Sequence, residues 1–378
     1  MKTLILSCNN GGGHNSAAAA IKEIYASHGE TADIIDAMAF LPQGWSELAS
    51  DVHSYIYRNT PVVFRRGYHH AETHRKQYGK GHSVRRLLDL GVRKLGRYIR
   101  DKEYDQVICC HVYAGLMLTD AIRRYGLPIV GSVVETDYTV SPGAEKIDLP
   151  LHFVPSSQQK AELASFGVPA EKIIVSGIPT RAQFGIIHDK TSAKERFMLD
   201  PKKKNILVAC GSMGCGPIEE LLEILSARQA ADGSFSVSVL CGSNQELYDE
   251  LSRKYEANGD IRILGLVEDM SALLDSADVY MTKPGGVSVT EAAQKRLPML
   301  LINAVGGCEK HNLDFFVGSG GAVTTHNTSV LADEAVTLTK NNAMHREMEA
   351  ALGKIFFENN REVIYEQMTR LYSERVSQ

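Results

Sequence analysis

The chain has 378 residues, long for one hydrophobic core, so two domains are expected. With 44% hydrophobic and 23% charged residues it has the composition of an ordinary soluble globular protein. The sequence contains no apolar run of about 18 residues that could span a bilayer, and Met1 is followed by only a short apolar stretch rather than a signal peptide. The net charge of −4 is unevenly spread.

In chain order, residues 2–7 read as a short apolar strand, followed by the Asn-Asn-Gly-Gly-Gly-His turn of 9–14 and an alanine-rich helix over 16–26. Residues 31–37 read as a second strand. Between Arg58 and Arg100 stand twelve Lys/Arg against only Glu72 and Asp89, a net of +10 that leaves the remainder at −14. Tyr57, Phe64, Tyr68, Tyr78 and Tyr98 are interleaved, with His69, His70, His74 and His82. At this point three readings stay open: a solvated helical face, an anionic membrane surface, or a nucleic-acid backbone. Further strands are expected at 106–110, 128–134, 149–155 and 172–176, with helices such as 114–125 and 157–166 between them. Strand–helix alternation of this kind predicts a parallel sheet covered by helices on both faces.

Residues 185–204 turn polar and end in Asp-Pro-Lys-Lys-Lys, which reads as a linker carrying a helix at 192–197. The pattern then restarts with a strand at 205–210, a glycine turn at 211–216 and a helix from Ile218. Strands at 234–240, 261–264, 279–282, 298–302 and 322–324 follow. Two similar α/β halves, each opening with strand, glycine loop and helix, are therefore predicted, with a ligand cleft between them. The helical stretch from about 332 to 377 has no strand partner and is expected to pack back on the halves. Cysteines 8, 109, 110, 210, 215, 241 and 308 show neither Cys-x-x-Cys pairs nor zinc spacing. Most sit in or beside apolar runs, as in a reduced cytoplasmic protein.

Several loops bear candidate chemistry. Gly11, Gly12 and Gly13 follow a strand and open a helix, where backbone N–H groups face an approaching ligand. The spacing does not match the dinucleotide fingerprint, because Asn15 and Ser16 occupy its later positions. His14 either caps this helix or acts at its mouth. Asp137, at the end of Val133-Val134-Glu135-Thr136-Asp137, either caps the next turn or serves as a base. Gly211–Gly216 is a second anion cradle. Residues 283–312 read as strand end, glycine turn, short helix, buried strand and a second glycine turn, a layout suited to a nucleotide phosphate. Ser288 and Glu291 have the spacing of a capping box, and Glu291 is equally suited to a ribose diol.

Gly-Gly-Gly-His at 11–14, Thr-Asp at 136–137, Gly-Ile-Pro-x-Arg at 177–181, Lys-Pro-Gly-Gly-x-Ser-x-x-Glu-Ala at 283–292, Leu-Pro at 297–298 and Gly-x-Glu-Lys-x-Asn at 307–312 occur in this order. With them the chain resembles the monogalactosyldiacylglycerol synthase and processive diacylglycerol glucosyltransferase family. That family is related to the peptidoglycan N-acetylglucosaminyl transferase of lipid II synthesis. The resemblance runs from Leu4 to about Gly321.

It implies an α/β fold of the GT-B type, with two Rossmann-like doubly wound domains and an interdomain cleft. Residues 1–184 would form the acceptor and membrane domain, 185–204 the linker, 205–350 the UDP-sugar domain and 351–378 a helical tail packing back. It further implies inverting transfer of a hexose from UDP-glucose or UDP-galactose to diacylglycerol, with no cofactor and no metal held by an Asp-x-Asp motif. His14 and Asp137 would lie on the acceptor side, one of them activating the hydroxyl. Leu266 and Val267 would flank the uracil. Gly211, Ser212, Met213 and Gly214 would hold the diphosphate, together with Lys283, Pro284, Gly285, Gly286 and Ser288. Glu291 would hold the ribose, and Glu309, Lys310 and Asn312 would face sugar and phosphates. Arg65, Arg66, Arg85 and Arg86 would dock the protein on the inner face of the cell membrane, with no nucleic-acid partner. Two positions depart from the family pattern: Cys308 stands where Gln is common, and Ser141-Pro142-Gly143 where a His and an aromatic usually follow Thr-Asp. The rival readings are transfer to another lipid or cell-wall intermediate, nucleotide-sugar epimerisation, and a non-catalytic UDP-sugar-binding protein.

Overall fold

Leu4, Ile5 and Leu6 are consecutive and all buried, as in a strand covered by helices on both faces. The structure, a computed structural model, describes residues 1–8, 12–44, 60–211, 214, 216–302, 306–355 and 360–377. The candidate residues Gly11, Ser212 and Met213, and Tyr57 and Arg58 of the basic segment, lie outside the described residues.

Among the described residues the first part of the chain runs β1 (Lys2–Ser7), α1 (Gly12–Ser27), β2 (Thr31–Asp36), α2 (Pro61–Thr73), α3 (Ser83–Asp101), β3 (Gln106–Cys109), α4 (Val112–Tyr125), β4 (Val130–Val134), β5 (Leu151–Val154), α5 (Ser157–Ser165) and β6 (Ile173–Val175). It continues with α6 (Lys190–Arg196), β7 (Lys204–Ala209), α7 (Ile218–Asp232), β8 (Phe235–Leu240), α8 (Gln245–Lys254), β9 (Ile261–Leu264), α9 (Met270–Ser276) and β10 (Val279–Thr282). The last elements are α10 (Gly286–Gln294), β11 (Met299–Leu301), α11 (Cys308–Gly318), β12 (Ala322–Thr324), α12 (Thr328–Lys340), α13 (Asn342–Ile355) and α14 (Asn360–Val376). Two units result. The first takes residues 1–181, 306–311 and 360–377, and the second takes 182–302 and 312–355.

In the first unit a parallel sheet has the order β2-β1-β3-β4-β5-β6. The chain reverses direction across the sheet between β1 and β3, so the loops after these strands border the crevice where such sheets bind ligands. Helix α3 buries Leu88, Val92, Leu95 and Ile99. Gly96 lets it approach α4, since a Cβ there would stand 2.6 Å from the Tyr125 ring. Helix α14 places Ile364 and Met368 in the core with Ile5, Ala18, Ile21 and Tyr25.

One expectation fails here. Arg85 is buried and pairs with buried Asp120, which also binds Arg123. It is therefore not available to a membrane: the periodicity of α3 turns position 85 inward while Arg86 faces solvent.

In the second unit the parallel order is β12-β11-β10-β7-β8-β9, the Rossmann order, with the reversal between β7 and β10. The polar stretch 190–204 belongs to this unit. Lys190, Lys194 and Lys204 converge on the buried carboxylate of Asp278. Its helix begins at Lys190, capped by Asp189 accepting from the Ser192 N–H. Among the described residues, no helix is long and apolar enough to cross a membrane.

Candidate active site

In the first unit β1 delivers the chain to α1, whose first residues are Gly12, Gly13 and His14. His14 Nδ1 lies 2.9 Å from the Cys110 carbonyl oxygen and 2.9 Å from Thr136 Oγ1. A carbonyl only accepts, so the neutral ring carries its proton on Nδ1 and its lone pair on Nε2. Cys110 follows β3 and Thr136 follows β4, so three adjacent strand ends set one imidazole. The His111 ring meets His14 edge-on, with centroids 4.7 Å apart. His111 Nδ1 is itself occupied, accepting from the Tyr113 N–H as the cap of α4.

Beside them, Glu135 is buried and accepts from the Ser141 hydroxyl at 2.6 Å. Burial raises its carboxyl to about 7; the Ser141 bond pulls it down and Asp137 pushes it up again. Ser141, a departure from the family pattern, thus acts as the partner of this carboxyl. Asp137 is hydrogen-bonded to the Cys308 thiol. Burial, Asp137 and Glu309 all push that thiol well above its ordinary value, so Cys308 stays a thiol and donates. Burial and then Cys308 and Asp137 likewise raise the Tyr68 hydroxyl.

Because folded Glu135 titrates above an unfolded glutamate, near 4.3, the native state holds the extra proton. Stability is fully present below that value and is lost as pH rises through about 7. Glu135→Gln removes this loss. At pH 8 the variant should exceed the wild type by on the order of 3 kcal/mol in denaturant unfolding, and at pH 4 the two should agree. Equal stability at pH 8 would show that the carboxylate is accommodated.

In the second unit the loops after β7 and β10 meet at the reversal point. Gly214 has φ +57°, and a Cβ there would stand 2.2 Å from the Cys241 carbonyl oxygen. The loop after β7 therefore lies against the end of β8 with no room for a side chain. A Cβ on Gly216 would come within 3.4 Å of the Lys283 side chain, which places that lysine beside this loop. Helix α10 starts at Gly286 after Gly285, with no side chain capping it. Ser288 therefore lies inside the first turn, and the Ser288–Glu291 capping box does not form. The first-turn N–H groups instead offer a site for a phosphate.

Glu291 is buried on α10 and close enough to Tyr280 to raise its hydroxyl, after burial itself. Asn312 is buried and donates from Nδ2 to the Pro284 carbonyl at 2.9 Å, so its amide fixes the loop that starts α10. Leu266 is 78% exposed just past β9, with Val267 half-buried beside it, giving an apolar ledge at the sheet edge. On α11, Glu309 is buried and Lys310 is exposed. Among the described residues, no group of three or more His, Cys, Asp or Glu is arranged to hold a metal ion.

The resemblance implies that this loop holds the UDP diphosphate; on that expectation Gly214→Ala should weaken UDP binding at least about tenfold by calorimetry, since a backbone clash forces the loop away from its place. Unchanged affinity would mean that this loop does not touch the ligand.

Thr136, His111 and Ser141 were missed as site residues by sequence reasoning. A signal existed for two of them: Thr136 precedes Asp137 in the quoted motif, and His111 directly follows a strand at the reversal point.

Residues 14–180 match the family model described as monogalactosyldiacylglycerol (MGDG) synthase, and residues 200–354 match glycosyl transferases group 1. The chain is 26% identical over 367 residues to a processive diacylglycerol beta-glucosyltransferase of Bacillus licheniformis, covering 96% of this chain and 92% of the relative. The protein of the same name from Bacillus subtilis is 26% identical over 383 residues, covering 98% and 95%. Among solved structures, Acinetobacter baumannii MurG superposes with a TM-score of 0.65 at 16% identity over 98% of this chain and 99% of that one. S. aureus MnaA, solved with UDP, gives 0.66 at 14% identity over 100% and 98%. At such identities the structural likeness establishes the fold, which is GT-B. The order of the sheets, the loops at their reversal points and the match of both parts of the chain converge: it has the GT-B fold and is similar along almost its whole length to the monogalactosyldiacylglycerol synthase and processive diacylglycerol glucosyltransferase family.

Proposed function

We propose that the chain moves a hexose from UDP-glucose or UDP-galactose to diacylglycerol, with inversion, at an anionic membrane surface. The observation that carries this reading is His14, held with Nδ1 protonated so that Nε2 can take a proton. The acceptor hydroxyl attacks the anomeric carbon and its proton passes to His14 Nε2. The bond from that carbon to the diphosphate oxygen breaks, and the electron pair leaves with UDP. N–H groups at the start of α10, with Lys283, stabilise the charge that develops there. Asp137 is engaged by the Cys308 thiol, which favours His14 as the base.

On the donor side, Glu291 holds the ribose, Leu266 and Val267 flank the uracil, and Gly211 and Gly214 lie along the diphosphate. Glu309 and Lys310 address sugar and phosphate, and Asn312 holds the Pro284 turn. Membrane docking is supported by Arg65 and Arg66 on α2 beside exposed Val62 and Val63. On α3, Arg86, Arg93, Arg97 and Arg100 are exposed along the same helix face as exposed Leu90. Each such cation near anionic lipid contributes about 1 kcal/mol.

The stereochemistry of the product tests the reading. Proton spectra of the lipid made from diacylglycerol and either UDP-hexose should show the β-anomer alone. An α-linked product would contradict an inverting attack assisted by a single base.

A further inference from the structure

Helix α2 carries the proposed membrane face of the basic segment, and its other side is also occupied. Residues 65, 68 and 72 are three and four positions apart, so they share one face of the helix. All three meet the segment 306–311, which leads into and forms the first turn of α11 in the same unit. The stem of Arg65 lies against Gly306, where a Cβ would stand 2.7 Å from Arg65 Cγ. The half-buried ring of Tyr68 lies against Gly307, where a Cβ would stand 2.8 Å from Tyr68 Cγ. Glu72 Oε1 is 2.8 Å from His311 Nε2. Gly306 has φ +121° and Gly307 φ +66°, conformations that residues with side chains rarely adopt. Glycine at both positions lets backbone and helix meet with nothing between them.

This contact holds in place the turn that bears Cys308, Glu309 and Lys310. Cys308 donates to Asp137, and Tyr68 is close enough to that pair for both to raise its hydroxyl, after burial itself. Val63, Arg66 and His70 are exposed on the opposite side of α2. The turn after α2 is anchored as well: Arg75 donates to Glu145 at 3.0 Å and to the Val140 carbonyl at 3.2 Å, on either side of Ser141. We propose that Tyr68, with Glu72 behind it, is a positioning residue of the transferase. Its ring fixes the turn 306–311, and through that turn the side chains that face the sugar. The proposal rests on the transferase reading, and it makes α2 a support of the active site as well as a membrane contact. A misplacement of about 1 Å in such a support can lower a rate about 10²-fold.

The test measures hexose transfer from UDP-glucose and UDP-galactose to a short-chain diacylglycerol dissolved as monomers. No vesicles are present, so membrane docking plays no part. Tyr68→Ala should lower kcat at least about tenfold, while UDP affinity by calorimetry and sedimentation with phosphatidylglycerol vesicles match the wild type. Tyr68→Phe keeps the ring on Gly307 and should recover most of the rate. Glu72→Ala releases the far end of the contact and should lower kcat in the same direction, which keeps the proposal falsifiable if Tyr68→Ala fails to fold. Wild-type kcat in Tyr68→Ala would overturn the proposal. So would a loss seen only when the acceptor is carried on vesicles, which would leave α2 a membrane contact alone. An equal loss in Tyr68→Phe would move the role to the hydroxyl and overturn it too. Absence of transfer by the wild type would instead remove the transferase reading, and this proposal with it.

Discussion

His14→Ala should lower transfer about 10²- to 10⁴-fold, the usual worth of a positioned general base, while UDP affinity stays close to wild type. The split follows from where the residue stands. His14 is set by the Cys110 carbonyl and Thr136 in the first unit, whereas the loops proposed to hold the diphosphate, at Gly214 and Lys283–Gly286, belong to the second. Loss of UDP binding together with turnover would indicate a folding defect. Near-normal turnover would remove His14 as the base and pass that role to Asp137. Thr136→Val should reproduce part of the loss, because it keeps the shape of the side chain and removes the hydroxyl beside Nδ1.

Asp278→Ala should be the most destabilising single change outside the catalytic loops. Asp278 is 1% exposed; its Oδ1 receives Lys190 at 2.9 Å and Lys204 at 3.2 Å, and its Oδ2 receives Lys194 at 3.0 Å and the Asn205 N–H at 2.9 Å. Lys194 is itself buried, so removing the carboxylate leaves its ammonium uncompensated, with the Lys203 carbonyl at 2.6 Å still accepting from it. Breaking one side of a buried ion pair costs about 3–5 kcal/mol.

Burial alone would raise the Asp278 carboxyl, but Lys190, the Asn205 N–H and Lys194 hold it well below the ordinary range. Its folded value therefore lies below its unfolded one. The stabilisation is present above about pH 4 and is lost as pH falls towards the folded value. Calorimetric unfolding at pH 7 should show the variant strongly destabilised, with the gap narrowing only in acid. An unchanged unfolding profile would mean that the lysines find other partners at no cost.

The strands were readable because each is a short apolar run between polar turns. The runs at 261–264, 279–282 and 322–324 match the observed β9, β10 and β12 residue for residue. Helix starts were less readable because their caps are unusual. Helix α4 is capped by a histidine ring, and α10 follows a glycine that has no side chain to signal a cap. The lysines of 190–204 looked like a solvated linker because their partner, Asp278, is more than 70 residues away in sequence. Arg85 looked like surface charge for the same reason, its partner Asp120 lying 35 residues on.

In the site, individual loops were legible and their mutual positions were not. Thr136 and Cys110 reach His14 only because β1, β3 and β4 lie side by side in the sheet. Cys308 could be noticed as an odd residue, but its bond to Asp137 requires the fold.

The central claim is tested most directly by incubating the pure protein with diacylglycerol vesicles and UDP-glucose or UDP-galactose, each labelled in the hexose, and measuring which label enters the lipid phase. The account predicts transfer of hexose label into lipid from at least one donor, with UDP released in equal amount. A labelled product that stays in water, or UDP binding with no label in lipid from either donor, would contradict it.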